Sequence, residues 1–386
     1  MNIRQFEDDD SRKEYIEPIS LTHEEEEETS YSNGDPYEVS YYGQDFDAIG
    51  LVRRLDEREI LIPRFDSDDE EVETEGFQRT FVWKKPQQDR FIESILLGYP
   101  IPNIFLVKQQ EENFLVLDGQ QRLITLQNFL PGEGGDGKKF KLENVSEQFK
   151  GKAYFDLEPR LQRKLKNSLI QAIILSTTPK AANHRAVYQI FERLNSGGTQ
   201  LTAHEIRIAS FPGKLVHFVA ELNREEDWRN LYGQTSPRVR DHELVTRILA
   251  MFLDWESYAR PLKGFLNKFM ENGLTPEVEK AGSLFKEASR RLNSVGDSRS
   301  ILRLSSNQVN TSWSDAIYVG LMKRLEANCS SLSDGELERI IEKCRTDDDF
   351  RSAISRSTAD EKNVKSRMEL AIAAFADGGH CEQPRQ

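Results

Sequence analysis

The stretch from residue 114 to 130, FLVLDGQQRLITLQNFL, changes its hydrophobic period in mid-course. Phe114 to Leu117 is a short apolar run of the kind a buried strand presents. After Gln121 the apolar residues recur in a helix-like pattern. A strand therefore meets a helix near Gly119, and the junction is unusually polar: Asp118, Gly119, Gln120, Gln121 and Arg122. A plain turn needs only the glycine.

The surroundings extend this α/β element. Ile49, Val52 and Leu55 recur at helical spacing, and Glu59 to Ile62 has the look of a strand ended by Pro63. Pro86 suits the first turn of a helix over QQDRFIESILLG, whose Phe91, Ile92, Ile95 and Leu96 form one apolar stripe that Gly98 ends. Ile104 to Val107 and LIQAIIL supply two more strands. From Ala181 on, helical patterns dominate, and Thr202 with Glu205 forms a capping box. Further helices are expected over 244–252, 277–292, 315–325 and 334–344. The pattern predicts an α+β chain: a small α/β domain over residues 46–215, then an all-helical domain over 216–386. Residues 1–45 are acidic, poor in aliphatics and expected to be disordered.

Charge decides which ligands such a chain can hold. The net charge is −13, but residues 1–76 carry 25 acids and 7 bases, which leaves 40 acids and 45 bases for the remainder. The acidity belongs to the N-terminal segment, and the mildly basic body can carry a phosphate-binding face. Three widely spaced cysteines without a CxxC pair argue against a disulfide framework or a cysteine zinc site, and for a reducing cytoplasm. No apolar run approaches the roughly 18 residues of a membrane span, and the first residues lack the order of a secretory signal.

At the junction, a helix N-terminus offers unpaired N–H groups and the positive end of a dipole. Gly119 allows close approach, and Arg122 adds a fixed, bidentate cation. Gln120 and Gln121 can bind a phosphate or an attacking water, and Asp118 can hold a metal or orient that water. The plainer account makes Asp118 a helix cap and Arg122 a surface ion pair. Two other stretches could share the pocket. GFQRTFVWKK joins Gln78 and Arg79 to Phe77, Phe81, Trp83, Lys84 and Lys85, a mix of cations and aromatics suited to nucleic acid unless the aromatics are core. FERLNSGGTQLTAHEIR places Asn195, Gly197, Gly198, Glu205 and Arg207 around a tight loop, or serves simply as a helix end and a capped restart. The sequence has no GxxxxGK[ST], no strand-borne GxGxxG and no HExxH. His204 is expected to be an exposed helix residue, and the acids at 347–349 a solvated turn.

Taken in order, IPRF…FQRTFVW, FIESILLGYPIPNIFLV with LVLDGQQRLITLQNFL, and FERLNSGGTQLTAHEIR resemble the GmrS-type proteins, over roughly residues 45 to 235. The resemblance implies a ParB/sulfiredoxin-like N-terminal domain and a nucleotide-dependent module of prokaryotic anti-phage restriction systems. It implies NTP binding and hydrolysis (GTP or ATP, with Mg2+) through Asp118, Gly119, Gln120, Gln121 and Arg122, with Asp118, Gln121 and Arg122 in catalytic roles and Asp118 on the metal. Gln78, Arg79 and Asn195 join the nucleotide site, while Arg79, Trp83, Lys84 and Lys85 face DNA, including modified phage DNA. The C-terminal half lacks an HNH constellation, so a nuclease partner subunit is expected, and a homodimer is compatible with the reading. The alternatives are a non-catalytic ParB-like DNA adaptor and a nuclease acting through the DGQQR pocket.

Overall fold

Burial and backbone pairing both build strands in this chain. The computed structural model describes residues 40–62, 83–108, 113–130, 140–176, 188, 190, 202–211, 213–236, 238–304, 308–329, 331–355 and 357–376. Two units divide them. One holds the described residues up to Phe218 with Asn267–Gly273, and the other holds Val219–Leu266 and the residues from Leu274 on.

The first unit is built on five strands: β1 (Ser40–Asp47), β2 (Ile60–Leu61), β3 (Ile104–Lys108), β4 (Phe114–Asp118) and β5 (Leu169–Ser176). Their order is β1-β5-β3-β4-β2, with β5/β3 and β4/β2 parallel and the other pairs antiparallel. In β4 the residues Phe114 to Leu117 are all buried, so the strand reads as a continuous apolar run. Alternate residues of the inner strands (Ile104 and Leu106, Phe114 and Val116, Ile170, Ala172 and Ile174) enter one core. The helices α1 (Ala48–Asp56), α2 (Lys85–Leu97), α3 (Gln120–Phe129) and α4 (Pro159–Lys166) contribute Leu51, Val52, Ile92, Leu96, Leu123, Leu126 and Leu165 to it.

Most expected elements form where the periodicity put them. Pro86 sits in the first turn of α2, and Gly98 caps its end at φ 86°. The helix α5 (Ala203–Ser210) opens with the capping box: Thr202 N–H donates to Glu205 Oε2 at 2.6 Å, and Glu205 N–H to Thr202 Oγ1 at 3.1 Å. Two differences are physical. Strand β1 starts at Ser40, ahead of the folding start expected at residue 46, because backbone pairing to β5 builds it and only Phe46 is buried. His204 is buried rather than exposed, with its Nδ1 3.0 Å from the Arg207 guanidinium.

The second unit is helical, and its described helices begin with α6 (Lys214–Arg224), which spans the division between the units. It continues through α7 (Glu226–Tyr232), α8 (Arg240–Asp254), α9 (Leu262–Asn272), α10 (Pro276–Asn293), α11 (Ser298–Ile301), α12 (Thr311–Glu326), α13 (Asp334–Thr346), α14 (Asp348–Ser355) and α15 (Glu361–Ala376). The sequence therefore folds as α+β, a mixed sheet followed by helices. Helix α12 is buried along almost its whole length, and Gly320 admits α15 so closely that a Cβ there would lie 2.9 Å from the Ala371 carbonyl oxygen. Trp228, Phe285 and Tyr318 pack mutually, with ring centroids 5.1 to 5.7 Å apart. At 347–349 the acids are a helix start rather than a turn: Asp347 accepts from Phe350 N–H at 2.8 Å. Cys344 is a buried free thiol.

Candidate functional site

At the end of β4 the ladder to β3 slips by one residue, from Leu106 opposite Val116 to Phe105 opposite Asp118. Such a bulge re-aims the strand end, and Asp118 emerges exposed after four buried residues. Gly119 then takes φ 97°, the left-handed region, as the N-cap of α3. A Cβ on Gly119 would sit 2.4 Å from Ile104 Cγ2, so both backbone and space require glycine here.

No side chain caps α3. Of the plainer account, the cap at Asp118 is not found, whereas the ion pair of Arg122 with an exposed acid is. Asp118 instead accepts from the Arg122 guanidinium at 2.5 Å, and the same Arg122 Nη2 reaches the Asn103 carbonyl oxygen at 3.1 Å. Arg122 is 13% exposed, yet its Nε is buried without a hydrogen-bond partner among the described residues, and so is Gln120 Nε2. Buried donors in folded proteins are nearly always satisfied, and leaving one unmet costs about 1–3 kcal/mol. Two such donors lie on one helical turn, beside backbone N–H groups that no side chain caps, and groups of this kind can bond an acceptor-rich anion.

The preceding block is tied into this turn. Trp83 N–H donates to Gln121 Oε1 at 3.1 Å, and the Trp83 carbonyl accepts from Gln88 Nε2 at 2.9 Å. The Trp83 ring lies edge-on to Phe91 at 5.6 Å and packs on the core, so Trp83 joins the two motifs while serving the core. Residues 61–212 match the family model of the GmrSD restriction endonuclease N-terminal domain.

That segment is similar to a GmrSD-type N-terminal domain. No curated protein and no solved structure matches the chain. The match spans both the DGQQR turn and the capping box of α5.

Within the matched segment the other expected site residues divide. Gln78, Arg79 and Asn195 lie outside the described residues, as do Phe77, Phe81, Gly197 and Gly198. Lys84 is exposed next to Trp83. Lys85 is engaged: it pairs with the fully buried Asp89, donates to the Lys141 carbonyl, and sits 3.8 Å from the Phe140 ring centroid. Asp89 also accepts from Glu143 N–H, Asn144 N–H and Asn144 Nδ2 at 2.9 to 3.1 Å. Burial opposes its charge, but the hydrogen bonds from Lys85, Asn144 and Glu143 prevail and hold its carboxyl below the usual range. This acid pins the chain at 143–144 to α2, and sequence reading missed it. The signal was present, since Asp89 falls on the buried stripe with Ile92 and Leu96.

Glu205 is buried and committed to its capping box, and Arg207 Nε donates to Asn267 Oδ1 at 2.9 Å. Among the described residues no three His, Cys, Asp or Glu side chains gather as a metal cage, and no helix is long and apolar enough to cross a membrane.

Proposed function

We propose that the chain is the nucleotide-binding and nucleotide-hydrolysing regulatory subunit of a DNA-restriction system, acting in the cytoplasm with a nuclease supplied by a partner. The observation that carries this reading is the pair of unmet buried donors, Gln120 Nε2 and Arg122 Nε, on an uncapped helix turn opened by a left-handed glycine. The match to a restriction-endonuclease N-terminal domain supports the biological setting. A triphosphate fits the donor set. Its oxygens are acceptors only, and they satisfy N–H groups that the fold leaves open.

In this reading the backbone N–H groups at 120–122 and the Arg122 guanidinium hold phosphate oxygens. The Asn103 carbonyl keeps Arg122 aimed at the turn. Gln121, fixed through its oxygen by Trp83 N–H, orients the water that attacks the terminal phosphorus. Asp118, the exposed carboxylate of the turn, would hold Mg2+ together with the nucleotide's own phosphates. A magnesium ion commonly uses one or two carboxylates in this way, and bound there it would offset phosphate charge. Gln78, Arg79 and Asn195 complete the nucleotide site as the resemblance implies it, and Lys84 belongs to the DNA-facing set.

The test is phosphate release by purified full-length chain with each of the four common ribonucleoside triphosphates, with and without DNA and Mg2+. Arg122→Ala should lose at least a hundredfold in rate while keeping its DNA binding. If the wild-type chain binds no nucleotide under any of these conditions, the reading is wrong.

A further inference from the structure

We propose that α4 and the two exposed aromatics flanking it form a docking face for the DNA phosphate backbone, separate from the DGQQR turn. Helix α4, PRLQRKLK, carries Arg160, Arg163, Lys164 and Lys166 and no acid. Its inner face is apolar: Leu165 is fully buried and Leu161 packs on the core. Arg160, Arg163 and Lys164 are exposed and, at spacings of three and four, share the outer face. No ion pair to a carboxylate is found for Arg160 or Arg163 among the described residues. Lys164 reaches the Leu96 carbonyl at 2.6 Å with its charge unneutralised.

The helix itself gains little from this arrangement. Cations in the last turn complement the helix dipole, which accounts for Arg163, Lys164 and Lys166. Arg160 stands in the first turn, where the same dipole opposes it. Like charges three and four residues apart add repulsion. A polyanion removes both penalties.

Two aromatics stand beside the cations. Phe155 is 75% exposed and lies edge-on to Tyr154, whose ring Lys166 approaches to 5.6 Å. Tyr99 is 61% exposed and follows Gly98, where an added Cβ would meet Lys164 Nζ at 3.2 Å. Exposed aromatics next to a row of cations are the pairing that holds nucleic acid, with charge on phosphate and rings on sugar or base. The flanking acids do not cancel the row: Glu158 precedes the helix, and Asp156 is turned back to accept from Ala153 N–H at 3.0 Å.

The inference rests on the reading that this chain acts on DNA, and its test separates the two. Binding of the full-length chain to a fluorescent 30-base-pair duplex is measured from low to moderate salt, for wild type and for Arg160→Glu combined with Arg163→Gln. Glutamate suits the first helical turn, so the variant should keep α4, and its melting temperature checks this. The salt slope should fall by about two, one for each lost phosphate contact, and affinity at low salt should fall at least tenfold. Phe155→Ala should weaken binding while leaving the slope unchanged. If wild type binds and the double variant matches it in affinity and slope, the face is wrong while the DNA reading stands. If wild type binds no DNA, both fall. A peptide of residues 21–32, containing the run Glu24–Glu28, is the competing occupant. Binding of that peptide to wild type but not to the double variant, with DNA binding equal in both, would overturn the proposal.

Discussion

Two aspartate–arginine pairings in this molecule use the same chemistry and reach opposite ends. In the helical unit Asp315 is fully buried between Arg247, at 2.6 Å, and Arg367, at 3.1 Å. Around it the donors are used up: Arg247 also reaches Ser312 Oγ at 3.0 Å, and Arg367 the Thr358 carbonyl at 2.5 Å. At the DGQQR turn Asp118 is 53% exposed, and its partner Arg122 keeps a buried Nε unmet. The first arrangement is closed and structural. The second leaves a buried donor unmet beside a carboxylate that water reaches, the arrangement on which the proposed binding role rests. Satisfaction of the polar groups distinguishes the two, and the ion pair itself does not.

The largest effect expected from breaking this contrast is at Asp315. Asp315→Ala leaves two arginines uncompensated in the core, and breaking a buried pair costs about 3–5 kcal/mol. Denaturant unfolding followed by tryptophan fluorescence should show that loss, since Trp228 and Trp313 lie in the same unit. A loss below about 1 kcal/mol would mean the triad is not the closed structural element described here.

Acid sharpens the contrast from a second side. His242 is buried next to Asp241, and burial pushes its imidazole down to about 3, with the Arg229 and Arg224 cations adding to the fall against the pull of Asp241. The folded value lies below the unfolded one of about 6.5. The unfolded chain therefore takes up the proton first. Stability from this group is complete above about pH 6.5 and is lost as pH falls toward 3, by up to about 1.4 kcal/mol per pH unit. His242→Gln should flatten unfolding free energy between pH 6.5 and 5 relative to wild type. Equal slopes in the two chains would show that the imidazole takes up its proton in the folded state. Asp89 also contributes stability that acid removes, but its depressed carboxyl acts only below the unfolded value of about 3.9, so it adds no slope between pH 6.5 and 5.

Much of this organisation was legible in sequence, for a definite reason. The continuous apolar run of β4, the proline and glycine ends of α2 and the capping box of α5 are local signals, and each is read within a few residues. The polar junction at 118–122 was legible in the same way. Long-range facts were not. Strand β1 is held by pairing to a strand more than a hundred residues away, with little burial to announce it. The Asn103 carbonyl that aims Arg122, and Ile104 that closes the space over Gly119, carry no local mark. His204 looked exposed because its neighbours are polar, yet Glu205 and Arg207 are buried with it.

The smallest expected effect is at Asp118, and it is the one that separates the two pairings most directly. Asp118→Asn removes the charge from a half-exposed carboxylate whose pair with Arg122 spans one helical turn, and such pairs contribute about 0–1 kcal/mol. Unfolding free energy should therefore move by less than about 0.5 kcal/mol, against the several lost at Asp315. Binding should respond in two directions. Without Mg2+, the variant frees Arg122 from its carboxylate and should bind a nonhydrolysable triphosphate more tightly than wild type. With Mg2+ present, the advantage should disappear or reverse, because the carboxylate that would help hold the ion is gone. Titration calorimetry with and without Mg2+ reads both arms. Identical affinities for the two chains in both conditions would place Asp118 outside the site and leave its pair with Arg122 a surface contact.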